Sequence, residues 1–240
     1  MKFMYNSKKT WSEDDMKIFY DLTKKFYQID DSNGLFLDLG ANIGTTGIYF
    51  IKKFTPNLKL LAFEPDVENF KLLRANLILN DLYEKTTAEN FGLGVEESQQ
   101  IMYRNISIPG QNGLFQNSED APTETIKIIS LDKYFSDKNL KAEDIKYIWI
   151  DTEGFEPQVL IGAQNILRKN PAPIFMEFNP HLWQKSGYYE KMMALLTEIY
   201  ESYIWKRSFK TSEVYPIEEL WKFQNETASL GGDIFLIKKS

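Results

Sequence analysis

Short apolar runs typical of buried strands alternate along the chain with segments whose apolar residues recur at helical spacing. The strand-like runs lie at 35–37, 58–63, 86–91, 145–150, 173–178 and 233–238, and another strand is expected near Tyr203. Helical segments fall at 70–80, at 182–200 and at 217–223, and another is expected with Pro157 in its first turn. The helix after Gly44 should end before Pro56. Because strands that alternate with helices build parallel sheets, the pattern predicts an α/β domain, with the wholly apolar run at 145–150 as a central strand.

A helix precedes the first of these strands. Met16, Phe19, Leu22 and Phe26 fall on one helical face, and we expect this helix to cover an edge or the mouth of the sheet. The sequence contains no internal repeat and no interdomain linker. We therefore divide the chain into an N-terminal helical extension, residues 1–33, and one domain, residues 34–240.

Two further β-like runs, at 100–104 and 125–129, flank a long polar segment that contains glycine and proline. Long segments of this kind either close over a substrate or simply connect two strands. Both interpretations remain open from the sequence.

The stretch LFLDLGANIGTTG, residues 35–47, carries the first functional signal. Gly40 and Gly44 predict a tight turn between a buried strand and a helix, which forms a ligand crevice at the carboxyl end of a parallel sheet. A dinucleotide fingerprint requires a glycine where Asn42 stands, and Asp38 places a carboxylate where a pyrophosphate needs positive charge. The crevice therefore favours a cationic nucleoside ligand, S-adenosylmethionine (SAM), over NAD or FAD.

Carboxylate and amide side chains end the next two predicted strands. Glu64 lies 20 residues after Gly44, where a nucleoside site places an acid on the ribose hydroxyls. The alternative is that Glu64 caps the following helix, although Asp66 suits that role better. Asn90, at the end of the third strand, is expected to meet the edge of the adenine.

Candidate catalytic groups follow the central strand. Asp151 and Glu153 leave the same face of an extended segment, since they are two residues apart. We assign Asp151 to positioning of the cofactor or the acceptor, and Glu153 to proton acceptance or substrate binding; alternatively, Glu153 is a carboxylate at a helix start, stabilised by the helix dipole. His181, the only histidine, is a second candidate base, although a lone histidine is more often structural.

A divalent metal is a further alternative for this region. It would need several oxygen-rich ligands to converge, but no compact ligand motif is present, so no metal site is predicted. The residues weighed for it are Asp132, Asp151, Glu153, Glu177 and His181.

Composition narrows the remaining possibilities. The formal net charge is −6 and the sequence pI is about 5.1, so no overall basic field favours nucleic acid. The absence of cysteine excludes disulfides, a thiol nucleophile and thiolate metal ligands. The N-terminal residues lack the apolar core of a signal peptide, and no apolar stretch is long enough to span a membrane. We expect a cytoplasmic protein, and its oligomeric state stays open.

The sequence resembles the FkbM family of SAM-dependent methyltransferases from about Leu35 to Phe178. The segments that carry the resemblance are FLDLGANIG at 36–44, FEP at 63–65, SLD at 130–132, IDTEGFE at 150–156 and MEF at 176–178. The resemblance implies a Rossmann-like class I methyltransferase fold, with a seven-stranded, mostly parallel sheet between two layers of helices. It also implies that Asp38, Gly40, Asn42, Gly44 and Glu64 hold the cofactor.

The expected reaction is therefore SAM-dependent O-methylation of a hydroxyl on a saccharide, glycolipid or polyketide-type metabolite. An alcohol is a weak nucleophile, so a base near the acceptor is expected. The alternatives are methylation at nitrogen, which needs less help from a base, and a SAM-binding protein of the same fold without turnover.

Overall fold

The computed structural model describes residues 13–104, 112–114, 121–205, 213–225 and 231–239. Its main feature is a mixed sheet of eight strands, accompanied by a second sheet of three strands. The strands are β1 (Leu35–Leu39), β2 (Lys59–Phe63), β3 (Thr86–Glu89), β4 (Gly92–Leu93), β5 (Ser98–Tyr103), β6 (Thr123–Ile129), β7 (Ile145–Ile150), β8 (Ile174–Glu177), β9 (Tyr200–Trp205), β10 (Tyr215–Pro216) and β11 (Asp233–Lys238).

The main sheet has the strand order β10-β9-β11-β8-β7-β1-β2-β3. Neighbours from β8 to β3 run parallel, whereas β11 is antiparallel to both β8 and β9. The expectation of seven strands is wrong by one. The additional strand, β10, is a two-residue edge strand that pairs with β9 and contains a proline, so it gives no apolar run to recognise.

Most of the helices lie where the apolar spacing predicts them, but the sequence predicts no helix at 131–137, and two helices at 156–169 replace the one expected there. The helices are α1 (Glu13–Phe26), α2 (Thr45–Lys53), α3 (Val67–Leu79), α4 (Leu131–Asp137), α5 (Glu156–Gly162), α6 (Gln164–Lys169), α7 (Pro180–Lys185) and α8 (Tyr189–Ile199). The single helix expected at 182–200 is instead two helices, α7 and α8. Gly187, with φ +73°, separates them, because a left-handed residue ends a helix.

The two faces of the main sheet carry separate hydrophobic cores. On one face, the ring of Phe19 from α1 lies 5.6 Å from Tyr147, 6.0 Å from Trp149, 5.7 Å from Phe175 and 6.0 Å from Phe235, measured between ring centroids. These rings belong to three adjacent strands, β7, β8 and β11. The first helix thus covers a face of the sheet, rather than an edge or the mouth.

The second sheet, in the order β4-β6-β5, is built from the β-like runs that flank the polar segment. β5 and β6 pair antiparallel. β4, which follows β3 closely in the chain, pairs parallel with β6. Residues 105–111 and 115–120, most of the possible lid, lie outside the described residues. Within the described ranges, no helix has the length and apolar character to cross a bilayer.

Candidate functional site

The ends of β1, β2 and β7 meet at Gly40. Its amide donates to the carbonyl of Phe63 at 3.1 Å, and the amide of Asp151 donates to the carbonyl of Leu39 at 3.0 Å. Gly40 has φ +90°, and a Cβ there would lie 1.9 Å from the carbonyl oxygen of Asp151. Only glycine at position 40 therefore allows the ends of β1 and β7 to approach this closely.

The glycine turn continues through two more left-handed residues, Asn42 with φ 50° and Gly44 with φ 86°. Gly44 is the N-cap of α2, and its amide donates to the carbonyl of Ala41 at 2.7 Å. The turn thus delivers the chain from β1 into α2 and presents Asn42 to the cleft described below.

Asp38 is fully buried at the end of β1. Its Oδ2 accepts a hydrogen bond from the amide of Gly47 on α2 at 2.9 Å. Its Oδ1 is buried with no hydrogen-bond partner among the described residues. Burial, with the negative charges of Asp151 and Glu64 adding to it, raises the pKa of Asp38 to about 7. A buried acceptor without a donor is costly, so the described residues leave the negative charge of Asp38 only partly compensated.

Glu64, at the end of β2, is held by two backbone amides. Its Oε2 accepts from Asn42 at 2.7 Å and its Oε1 accepts from Asp66 at 2.9 Å. Burial raises its pKa to about 7 even though both hydrogen bonds lower it. Each carboxylate oxygen can accept a second hydrogen bond, so Glu64 retains the capacity to bind a diol.

The helix-capping role belongs to Asp66, as the sequence suggested. Its Oδ1 accepts from the amides of Glu68 and Asn69 at 2.8 and 2.9 Å, at the start of α3. Its Oδ2 pairs with Arg104 at 3.0 Å and accepts from Asn112 at 3.0 Å. Asp66 therefore also ties the end of β5 and residue 112 to the rim of the site, a link between distant segments that no local pattern reveals.

Asp151 follows the end of β7, and Glu153 lies in the tight turn that leads from there into α5. The amide of Phe155 donates to the carbonyl of Thr152 at 3.2 Å, and the central residues Glu153 and Gly154 have φ 52° and 92°. A left-handed glutamate costs on the order of 1–3 kcal/mol, and strained residues of this kind cluster at functional sites. Burial, followed by the charges of Asp151 and Glu156, raises the pKa of Glu153 to about 8.

Glu156, the first residue of α5, is a functional candidate that our sequence analysis did not single out. It is fully buried, its Oε1 accepts from both the amide and the hydroxyl of Thr152 at 2.8 Å, and its Oε2 accepts from Trp183 Nε1 at 2.7 Å. Burial raises its pKa, and these hydrogen bonds oppose that shift. Glu156 ends the IDTEGFE segment, but the segment does not indicate its role, which only the long-range contact with Trp183 reveals.

These groups surround one cleft at the carboxyl end of the sheet, with about 760 Å³ of space, counting the part open to solvent. The acidic lining residues are Glu64, Asp151 and Glu153, and the second sheet contributes an apolar wall of Met102, Ile126 and Ile128. The carboxylates and the apolar wall thus line the same space.

Not every predicted site residue lines this cleft. Asp38 and Gly44 lie behind its wall, in the strand end and the turn that shape it. Asn90 donates from its amide nitrogen to the carbonyls of Glu64 and Pro65 at 2.9 and 3.1 Å, so it braces the end of β2. His181 is half-buried on α7 and is not among the lining residues.

The charge of the cleft fits a cationic ligand. No lysine, arginine or histidine is among the described residues that line it. Nearby, burial and the charge of Glu156 raise the pKa of Glu177, at the end of β8, to about 10. A ligand with positive charge would relieve the repulsion among these acids, whereas a diphosphate would increase it. The orphaned Oδ1 of Asp38 and this acidic lining therefore fit SAM, which carries a sulfonium and an ammonium group.

Metal-binding geometry is not found in the described parts of the chain, where no group of three or more histidine, aspartate or glutamate side chains is arranged to hold an ion. Asp132, one of the residues considered for that role, instead accepts hydrogen bonds from the amides of Asn165 and Ile166, both at 3.0 Å. It caps α6.

Comparison with known proteins gives a consistent result. A model of the methyltransferase FkbM domain matches residues 38–203. Methyltransferase sdnD of Sordaria araneosa is 26% identical over 194 residues, which cover 70% of this chain and 73% of that protein.

Solved methyltransferases share the fold. The methyltransferase FkbM of Methylobacillus flagellatus superposes with a TM-score of 0.51 at 13% identity, covering 91% of this chain; this chain spans about half of its length, 47%. An O-methyltransferase from Bacillus cereus, solved in complex with SAH, gives 0.52 at 11% identity and covers 95% of this chain and 82% of its own. At these identities the likeness concerns the fold alone.

Proposed function

This chain belongs to the FkbM methyltransferase family, and we propose that it is an enzyme that transfers a methyl group from SAM to a hydroxyl group. The observation that carries the proposal is the acid-lined cleft at the carboxyl ends of β1, β2 and β7, with the unpartnered Oδ1 of Asp38 behind it. When bound, SAM supplies an electrophilic methyl group on its sulfonium. The family match over residues 38–203 supports the same assignment.

The cofactor residues that we propose share a role in shaping or charging this cleft. Asp38 would attract the ammonium group through its negative charge from behind the wall of the cleft, and Glu64 would accept hydrogen bonds from the ribose hydroxyls. Asp151 would supply further negative charge beside them. Gly40 allows the end of β7, which leads to Asp151, to lie close to the end of β1. Asn42 and Gly44 would act by forming the turn, and Asn90 would brace the end of β2 with its side-chain amide.

Glu153 is the base that we propose for the acceptor. It lines the cleft, and its pKa of about 8 lies close to the pH at which a general base is most effective. Its turn fixes the carboxylate beside Asp151, where an acceptor hydroxyl aligned with the methyl group could donate its proton. His181 lacks the corresponding position among the lining residues, which makes it the weaker candidate.

A hydroxyl acceptor is favoured because it is the acceptor that needs a base. We propose a saccharide, a glycolipid headgroup or a polyketide-type metabolite, since the cleft offers both hydrogen-bonding carboxylates and an apolar wall.

The test is transfer of labelled methyl from SAM into a metabolite extract by the wild-type protein. We expect labelled product whose methyl resonance is that of an ether. In Glu153→Gln, which keeps the shape of the side chain, the rate should fall by about 10²–10⁴-fold, the usual contribution of a general base. An N-methyl product would refute the hydroxyl assignment, and a greater loss in His181→Gln than in Glu153→Gln would move the base to His181.

A further inference from the structure

We propose that Glu156 is a positioning residue for this reaction, acting as a carboxylate clamp between the turn that carries Glu153 and the helix that follows β8. The inference rests on the proposed function. It concerns a residue that does not itself line the cleft.

Three donors converge on the Glu156 carboxylate. The amide and the hydroxyl of Thr152 both donate to Oε1 at 2.8 Å, and Trp183 Nε1 donates to Oε2 at 2.7 Å. Glu156 and Trp183 are both fully buried. Hydrogen bonds to a buried charged group are among the strongest in proteins, so this arrangement resists displacement.

The clamp acts on the strained part of the site. Thr152 is the first residue of the tight turn, and Glu153 is the second, in the left-handed conformation. By holding the amide and the hydroxyl of Thr152, the clamp fixes the residue from which that turn starts. Trp183 anchors the other side, because its indole packs in the hydrophobic core against Phe178 at 5.3 Å between ring centroids. The orientation of Glu153 thus depends on a connection to the neighbouring strand's helix.

Glu156 is suited to positioning rather than to proton transfer. Each of its oxygens already accepts a hydrogen bond, and it is wholly enclosed by protein. Without the clamp, Glu153 and Asp151 would remain present but would sample other orientations. Loss of alignment of about 1 Å can cost on the order of a hundredfold in rate.

Three variants test the clamp. Glu156→Gln must turn its amide donor toward Trp183 or toward Thr152, so it loses at least one partner. Trp183→Phe removes the indole donor from a position outside the cleft, and Thr152→Val removes only the hydroxyl. The matched control is Asp132→Asn, because Asp132 is a carboxylate that accepts two backbone hydrogen bonds but caps α6 and does not line the cleft.

The first measurement is the rate of labelled methyl transfer into the extract at saturating SAM, together with the dissociation constant of SAH by calorimetry. We expect the rate in the clamp variants to fall about tenfold to a hundredfold, while the SAH dissociation constant changes by less than about threefold. Asp132→Asn should lose thermal stability without this loss of rate. Clamp variants that match Asp132→Asn in rate would overturn the inference.

The second measurement does not depend on turnover. In protein labelled with ¹⁵N-tryptophan, the Trp183 indole resonance is identified by its disappearance in Trp183→Phe. It should shift in Thr152→Val and again when SAH is added to the wild type; an indole signal that responds to neither change would refute the clamp. A wild-type protein that neither binds SAH nor transfers methyl would instead refute the proposed function, so the two failures are distinguishable.

Discussion

Replacing Asp38 by asparagine should make the stability of the ligand-free protein less sensitive to rising pH, and it should weaken binding of the cofactor. The amide has almost the same shape, and its oxygen can keep the hydrogen bond from the Gly47 amide, which is 2.9 Å long in the wild type. What the substitution removes is a buried negative charge, whose second oxygen has no partner in the described part of the chain.

The magnitude follows from the pKa of Asp38, which burial raises from 3.8 to about 7. The folded state binds this proton more tightly than the unfolded state does. The contribution of Asp38 to stability is therefore fully present below pH 4 and is lost as the pH rises toward 7. Between pH 5 and pH 7 the unfolded state has lost this proton and the folded state still holds it, so these two pH units lower the free energy of unfolding by about 3 kcal/mol. The Asp38→Asn variant would not undergo that loss, because its side chain does not ionise.

Chemical denaturation at pH 5 and pH 8, without ligand, measures the effect. The fall in unfolding free energy between the two pH values should be smaller in Asp38→Asn than in the wild type by about 3 kcal/mol. Asp132→Asn, a control that does not line the cleft, should keep the wild-type pH dependence. If the unfolding free energy fell equally in Asp38→Asn and in the wild type, ionisation of Asp38 would not destabilise the folded protein. The electrostatic account of the cleft would then be wrong.

Three further predictions concern neighbouring positions. Glu64→Gln should weaken SAM binding about tenfold to a hundredfold by calorimetry, because a charge-assisted hydrogen bond is lost; equal affinity would exclude the ribose role. Gly40→Ala should lower the free energy of unfolding by more than about 2 kcal/mol, since the new Cβ would meet a backbone oxygen at 1.9 Å. The control is Gly231→Ala, where a new Cβ meets nothing within 4 Å, and it should change this free energy by less than about 0.5 kcal/mol. Thermal or urea unfolding measures both. The rate at low acceptor concentration should rise from pH 6 to pH 8, because Glu153 has a pKa of about 8 and must be ionised to accept a proton; a flat profile would contradict this role.

The predictable parts of the fold are those in which a local pattern and the tertiary environment agree. β7 and β11 begin and end at the residues expected, since a strand buried on both faces needs a continuous apolar run. Pro157 falls in the first turn of α5, where its missing amide hydrogen costs nothing. The helix after Gly44 ends at Lys53, ahead of Pro56, as the restriction on residues before proline requires.

Other features depend on contacts between distant segments, and local patterns do not contain them. The apolar spacing from 182 to 200 continues through Gly187, but the structure breaks the helix there. The residues at 217–223 form a 3₁₀ helix, whose apolar spacing resembles that of an α-helix. The union of β4, β5 and β6 into a wall beside the cleft is likewise a consequence of tertiary packing.

The candidate site divides in the same way. Acids and glycines at strand ends are visible in sequence because parallel strands bring their carboxyl ends together. The bracing by Asn90, the tie through Asp66 and the clamp at Glu156 join residues 25 to 46 positions apart, so no local motif shows these contacts.

Calorimetric titration of the wild-type protein with SAM at pH 6 and pH 8 tests the central claim most directly, namely that the acidic cleft is built for a cationic nucleoside cofactor. We predict one SAM bound per chain, with higher affinity at pH 8, because ionisation of Asp38 and Glu64 adds negative charge as the pH rises through about 7. No binding at either pH, or tighter binding at pH 6, would contradict the account.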